Sequence, residues 1–457
     1  MSFDTPLYTL EGTILPDLDD LIEAVVQEQS FLMDEDGFEH MFFPSHHKPY
    51  IYPIRHLITS RQTIVEQDDV TKGHSDMQGI TWLDGRQGKE AYRNYRDSTG
   101  STAHMYYSGT AALKESREVL DYNSNEFYRF RYTDTNIHCS HRHPQLRNLV
   151  CATSKNDIYY LCNNSIQHWC PQLRISKTIL GPPLRTAHAR VPSRITTMAA
   201  MDEFLLVGGE DGSFTFMNLQ TCENPIFGSF IDEGYMEVNG IELSYSRTGA
   251  PHAYVSTNDN AIRCVDMGTL QTYATFSSDW FVNYTSQSPD GHMIGIVGDD
   301  QDGRVMSVNS RETIATLKGH QRYSFAVAWS PDSTMLATGS DDMSTCIYDT
   351  RMMQNPVHII SRDIRESVRS LRYSSCGRYL VMAEDRDYVH IVDTASDYSK
   401  AQKIDFVGDI SGISLTPDGD GLFVGVSSTV DFSSILEFER LNQTSNKMFE
   451  DDLWGAI

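Results

Sequence analysis

The stretch Gly319–Arg351, GHQRYSFAVAWSPDSTMLATGSDDMSTCIYDTR, decides the fold. After Gly319-His320 it alternates apolar residues through Phe325, Val327 and Trp329. The turn Ser330-Pro331-Asp332-Ser333 precedes a short apolar run, Met335-Leu336-Ala337. A second turn, Gly339-Ser340-Asp341-Asp342, leads into Cys346-Ile347-Tyr348 and Asp349. Period-two alternation, cut by Pro, Asp and Gly where the chain must reverse, spells three short antiparallel strands in a meander. Such a unit cannot cover both its faces alone, so it needs neighbours built like itself.

The neighbours are present. The first turn recurs as Ser288-Pro289-Asp290-Gly291, Ser330-Pro331-Asp332-Ser333, Ser374-Ser375-Cys376-Gly377 and Thr416-Pro417-Asp418-Gly419, at intervals of 42, 44 and 42 residues. That is the period of a four-stranded propeller blade. The second turn recurs at Gly209–Gly212, Asn258–Asn260, Asp299–Gly303, Asp341-Asp342 and Glu384–Asp387, each time between apolar runs. Arg147–Trp169 and Ile413–Phe438 supply a first and a last unit. Seven units of about 45 residues fill 121–440. The predicted fold class is therefore all-β, a seven-bladed β-propeller. Phe127–Tyr132 is placed to close it by pairing beside the last strand near Phe438, because a sealed ring leaves no free sheet edge at the join.

The chain divides into four regions: an acidic arm, 1–47; an extended and helical extension packing on the propeller, 48–120; the propeller, 121–445; and a tail, 446–457. The arm holds eleven Asp/Glu and no Lys or Arg. It reads either as a solvated, mostly disordered segment or as an amphipathic helix over 17–33 that docks on a groove. Pro-interrupted residues 44–75 read as extended, clamping along the main domain. The run Lys89–Arg96, KEAYRNYR, reads as a helix pinned by tyrosine packing rather than as an RNA contact, and 98–110 as a polar loop. A net charge of −25 excludes nucleic acid and anionic membranes as principal partners and leaves basic peptides and other proteins. The N-terminus lacks a signal peptide's basic start, and eight scattered cysteines without a CxxC fit a reducing compartment, so the chain is expected in the cytoplasm, the nucleus or both.

Several stretches resemble a eukaryotic WD-repeat family found in plants and fungi: FYRFRYTDTN, HPQLRNLVCATSKNDIYYLCNNSIQHW, RSLRYSSCGRYLVMAEDRDYVHIVD and IDFVGDISGISLTPDGDGLFVGVSSTVDFSSILEFER. An upstream DxQGIxW, here Asp76–Trp82, and the Tyr/Arg-rich segment belong to the same resemblance, which covers about 76–440. It implies a propeller and transfers no activity. By the same resemblance His320, Thr338, Ser340 and Asp342 form a hydrogen-bond network inside the blade, completed by Tyr348 where the family carries tryptophan. Such a network faces no cleft, which separates it from a hydrolase triad. Tyr348-Asp349-Thr350-Arg351 also resembles the box by which WD-repeat proteins dock on the adaptor of a cullin-RING ubiquitin ligase, although a well-formed blade nearly matches that box by itself.

No cofactor and no metal site is expected. In a strand Cys139, His141 and His143 would share a face beside His138, but adjacent side chains on one strand rarely complete a tetrahedron. His40, His46 and His47 fall in a loop. The glycine-rich Val207–Gly212 precedes a strand, so it is turn chemistry and not a phosphate cradle. The expected function is a non-enzymatic interaction scaffold with an acidic face or arm. Its alternatives are a substrate receptor of a ubiquitin ligase and, more remotely, a propeller hydrolase, which would need ionisable residues with strongly shifted pKa values clustered at the channel mouth.

Overall fold

Five of the repeat units fold as separate four-stranded antiparallel sheets, and the other two share one long strand. The computed structural model describes residues 57–99 and 119–441, apart from 124, 142, 144–146, 182–191, 193, 232–235 and 429–431. The expected helix over 17–33, most of the polar loop over 98–110 and the tail 446–457 lie outside the described residues. The chain divides at Tyr52, and every element described belongs to the unit that begins there.

Blades 1 to 5 span 150–180, 195–229, 238–277, 282–317 and 324–360, each an up-and-down meander. Blade 6 begins with Val368–Tyr373, Tyr379–Glu384 and Arg386–Asp393. Its outer strand is the first part of Lys400–Leu415, which runs on to become the inner strand of blade 7. Gly408 allows the crossing: its φ is +134°, and a Cβ there would stand 2.6 Å from Val426. Blade 7 is finished by Gly421–Ser427, Ser434–Arg440 and the strand Tyr128–Asp134. Phe438 pairs with Phe130, so the seal is made by the segment the sequence nominated.

The innermost strand of each of blades 2 to 7 carries a register break near its start. A bulge turns one side chain out of the ladder toward the next blade. Thr196 donates to the Val238 carbonyl at 2.6 Å, Asn239 to Val282 at 2.8 Å and Asn283 to Ser324 at 3.0 Å. These bonds set the spacing of blades 2 to 5. In blades 5 and 6 the same place is held by Phe325 and Arg369, with the guanidinium 3.8 Å above the ring. Between blades the packing is apolar: Tyr284, Val305 and Leu317 of blade 4 meet Val327, Trp329 and Leu336 of blade 5. Each fully buried side chain of this kind contributes about 1.5–3 kcal/mol.

The extension comprises β1 (Ile58–Arg61), β2 (Ile64–Glu66), a short helix α1 (Gln67–Thr71), β3 (Ile80–Trp82) and helix α2 (Arg86–Thr99). β1 pairs with β3. β2 lies antiparallel against Tyr128–Asp134, so blade 7 carries a fifth strand; of the stretch 44–75 expected to be extended, 44–56 lie outside the described residues and 67–71 are helical. The DxQGIxW motif is the hinge of the arrangement. Asp76 accepts from the backbone of Gln78 and Ile80 and, at 2.7 Å, from the Trp82 indole. Gln78 donates to the Val407 and Phe432 carbonyls and accepts from the Val407 amide. Gly79 sits at φ +74°, where a Cβ would stand 2.3 Å from the Gln62 carbonyl oxygen. Ile80 and Trp82 then bury beside Tyr92, Val407 and Phe432.

Helix α2 is held by more than tyrosine packing. Tyr92 does pack between Trp82, at a tilt, and Phe432, edge-on, with ring centroids 5.7 Å from each. Residues 89, 93 and 96 lie on the same side, as spacings of three and four require, and their charges are spent on the propeller. Lys89 pairs with Asp405 at 2.8 Å, Arg93 bridges Asp405 and Asp387, and Arg96 grips Asp387 at 2.7 and 2.8 Å. These cations face protein carboxylates, so they offer nothing to a nucleic-acid backbone.

Candidate interaction face

An up-and-down blade puts the links between blades and the turns between its second and third strands on one face of the ring. The recurring Asp/Glu turns of the sequence therefore gather there. On blades 2 to 4 they place Glu210, Asp259, Asp299, Asp300 and Asp302, and the link into blade 4 adds Asp279 and Phe281. Glu210 is paired with Arg194, Asp259 with Arg263 and Asp279 with Arg304. Asp279, Asp299, Asp300 and Phe281 are exposed. On blades 6 and 7 the same face is covered by α2 and the DxQGIxW turn.

Between these regions, where blades 5, 6, 7 and 1 meet near the channel mouth, acids and arginines interlock. Asp385 receives Arg147 at 3.0 Å and Arg369 at 3.3 Å, with Arg386 at 4.0 Å. Asp341 takes Arg322 at 3.2 Å and Arg369 at 3.5 Å, while Arg386 reaches Glu366 at 3.6 Å. Burial pushes the Asp385 carboxyl up, but the three guanidiniums outweigh it and hold it down to about 2. Glu366 goes the other way, to about 7, because burial and the neighbouring acids outweigh Arg386. Burial also drives His141 down to about 3, leaving it neutral. The ionisable cluster that a channel hydrolase would need is thus present. Within it Asp385 and Asp341 close on guanidiniums.

Inside the channel Glu242 of blade 3 accepts from the Gln287 amide at 2.9 Å and the Ser286 hydroxyl at 3.1 Å. Arg372 of blade 6 donates to Asn148 at 2.9 Å and lies over the Tyr284 ring at 5.8 Å. Burial raises Glu242 to about 7 against those hydrogen bonds and the Arg372 charge.

In blade 5, His320 Nε2 meets the Thr338 hydroxyl at 2.8 Å, and its Nδ1 meets Asp342 at 3.2 Å and Ser344 at 3.1 Å. Ser344, which the sequence pattern did not single out, also donates to Asp342. The other two nominated residues touch this set, Tyr348 by a side-chain hydrogen bond to Thr338, and also reach carbonyls beyond it. Ser340 donates to the Tyr323 and Arg322 carbonyls, and its oxygen accepts the Asp342 amide. Tyr348 is fully buried and its hydroxyl donates to the Lys318 carbonyl at 3.1 Å. His320, Asp342 and Ser344 are as close as a triad, yet their side chains are sealed within the blade. At the end of the third strand Asp349 is clamped by Arg351, whose side chain is 87% exposed.

The segment around Cys139 is irregular rather than a strand, which removes the shared face expected of Cys139, His141 and His143. Cys139 is buried, His141 lies 4.0 Å from Asp409 and His143 lies 3.4 Å from Glu237. Among the described residues no group of three or more His, Cys, Asp or Glu is arranged to hold a metal, and no helix is long and apolar enough to cross a membrane.

Comparison with known proteins bears on the fold. A Schizosaccharomyces pombe protein described as uncharacterized is 26% identical over 277 residues, covering 56% of this chain and 74% of its own length. The eukaryotic translation initiation factor 3 subunit I of Culex quinquefasciatus is 24% identical over 173 residues, or 34% of this chain; the match spans 51% of that protein. A chain in the crystal structure of a mitotic checkpoint complex superimposes with a TM-score of 0.53 at 18% identity, covering 66% of this chain and 91% of that one. At such identity the likeness concerns the fold alone. The family model for the WD domain, G-beta repeat (WD40), matches residues 311–349. It falls on blade 5 and the strand leading into it, so the chain carries a WD repeat there and folds as a seven-bladed β-propeller of the WD-repeat kind.

Proposed function

We infer that this chain, like WD-repeat propellers in general, is a protein-interaction scaffold: a rigid ring holds loops at fixed positions, and the loops choose the partner. We propose that this chain is a non-enzymatic platform whose partner carries a basic segment and docks on the loop face of blades 2 to 4. The observation that carries the reading is the open acidic arc at Asp279, Asp299 and Asp300 beside the half-exposed ring of Phe281. Carboxylates attract the cationic heads of Lys and Arg, and an aromatic ring takes their stems and charge. The test is affinity purification of the full chain, of a chain lacking residues 1–47, and of the Asp279→Lys, Asp300→Lys, Asp302→Lys variant. Partners should be retained by the first two and lost, with steep salt dependence, by the third. Equal recovery by all three would overturn the reading.

One exposed side chain favours a second reading. Arg351 is exposed and clamps Asp349, in a stretch that resembles the box by which WD-repeat proteins dock on a ligase adaptor. Co-purification of such an adaptor, abolished by Arg351→Ala, would establish a substrate receptor; recovery unchanged by that substitution would dismiss it.

A further inference from the structure

The ring's outer wall carries a second feature, independent of the loop face. The outer strand of blade 4, Thr313–Leu317, pairs on one side with Gly303–Ser307; among the described residues no strand pairs with its other edge. Beside that edge lies a groove of about 540 Å³, lined by Thr313 to Thr316, Lys318, Gln354 and Asn355. Its far wall is the loop 350–357 that joins the last two strands of blade 5. The loop is anchored, since Met353 is buried among Tyr348 and Leu336 and Pro356 packs close to Gly319. Ile314 and Met352 nonetheless stand 53% and 69% exposed. An edge with unused backbone donors and acceptors, flanked by apolar side chains, is a template for an added strand.

The chain shows how such an edge is filled. On blade 7, β2 runs along the outer strand as Ile64, Val65 and Glu66 against Asp134, Thr133 and Tyr132. Glu66 is then held at 2.8 Å by Arg174, from the corresponding loop of the next blade, blade 1. Outer strand, neighbouring loop and a cation for an acid on the incoming strand are the three parts. Blade 4 and the blade 5 loop repeat the first two, and Lys318 is the one charged residue lining the groove. We infer that this groove is a docking site for an extended peptide of another protein, β-branched in its middle and carrying an acid, which adds to blade 4 as a fifth strand.

The probe is a synthetic peptide copying residues 62–68, QTIVEQD, blocked at both ends, added to the full chain and followed by hydrogen exchange. At saturating peptide the amides of 313–317 should exchange at least about threefold more slowly. The same peptide N-methylated on alternate residues should give no slowing, because it cannot pair with an edge. Lys318→Glu should weaken the effect about fivefold, the upper end for one exposed charge pair. Retained slowing with the N-methylated peptide would overturn the inference, as would protection confined to 128–134, where β2 itself lies, or no protection at all. Both arms of the experiment leave the loop face untouched, so they stand apart from the fate of the proposed function.

Discussion

Replacing Glu242 by Gln should flatten part of the pH dependence of stability. In the folded ring its carboxyl is raised to about 7 from an ordinary 4.5, chiefly by burial within the channel and in spite of two hydrogen bonds and Arg372. At about 1.4 kcal/mol per tenfold change in proton affinity, that gap corresponds to roughly 3 kcal/mol. The side chain is partly accessible to the channel, so screening by water places the effect at about 1–3 kcal/mol. The sign follows from linkage. Below pH 4.5 both folded and unfolded chains hold the proton, and stability is full. Between 4.5 and 7 the unfolded chain releases it while the folded chain keeps it, so stability falls; above 7 the loss is complete. The amide of the Glu242→Gln variant has no proton to release. Urea unfolding followed by the fluorescence of the five tryptophans, at pH 4.5 and at pH 8, gives the comparison. Glu366, also raised to about 7, contributes equally to both proteins and cancels in the difference. The variant should gain about 1–3 kcal/mol relative to wild type on going from the lower to the higher pH. Parallel profiles would show that the channel solvates this carboxylate as water does, and the argument from burial would fail.

Other substitutions test the remaining contacts. Arg93→Met leaves Asp387 without one of its two guanidinium partners and should cost about 3–5 kcal/mol locally; residues 76–99 should become protease-sensitive while the β-sheet circular dichroism persists, and unchanged resistance would refute the clamp. Phe130→Ala removes the ring that meets Phe438 edge-on at 5.8 Å across the seal; a loss of about 3–5 kcal/mol in global unfolding is expected. Tyr348→Phe should cost about 1 kcal/mol by deleting the bond to Lys318, whereas Tyr348→Trp, forced into a fully buried site, should cost about 1–3 kcal/mol. A gain in stability from the tryptophan variant would mean that the family's usual residue fits after all. Gly79→Ala, placing a Cβ 2.3 Å from the Gln62 carbonyl oxygen at φ +74°, should cost about 1–3 kcal/mol and loosen β1 from β3, read as faster amide exchange at 58–61.

The propeller was legible because its signals are local and repeated. Ser-Pro-Asp turns, alternating apolar runs and Gly-Asp hairpins depend only on near neighbours in the chain, and their period counts the blades. Even the sealing strand could be named, because a ring without one leaves an edge. Side-chain networks were a different matter. His320, Thr338 and Asp342 come together, with Tyr348 touching Thr338, but the carbonyls that Tyr348 and Ser340 also bond could not be foreseen, since their positions depend on how the next turn folds. The sequence pointed to α2 being pinned by tyrosine packing, which holds for Tyr92, but it gave no sign that the helix's cations meet Asp387 and Asp405, some 300 residues away in the chain. The channel-mouth arginines had no sequence signal at all, since Arg147, Arg369 and Arg386 share no spacing. Backbone pattern is written in short range, where sterics and alternation act. Which charges meet is settled only when the ring closes, because Coulomb partners are chosen by distance in space and not by distance along the chain.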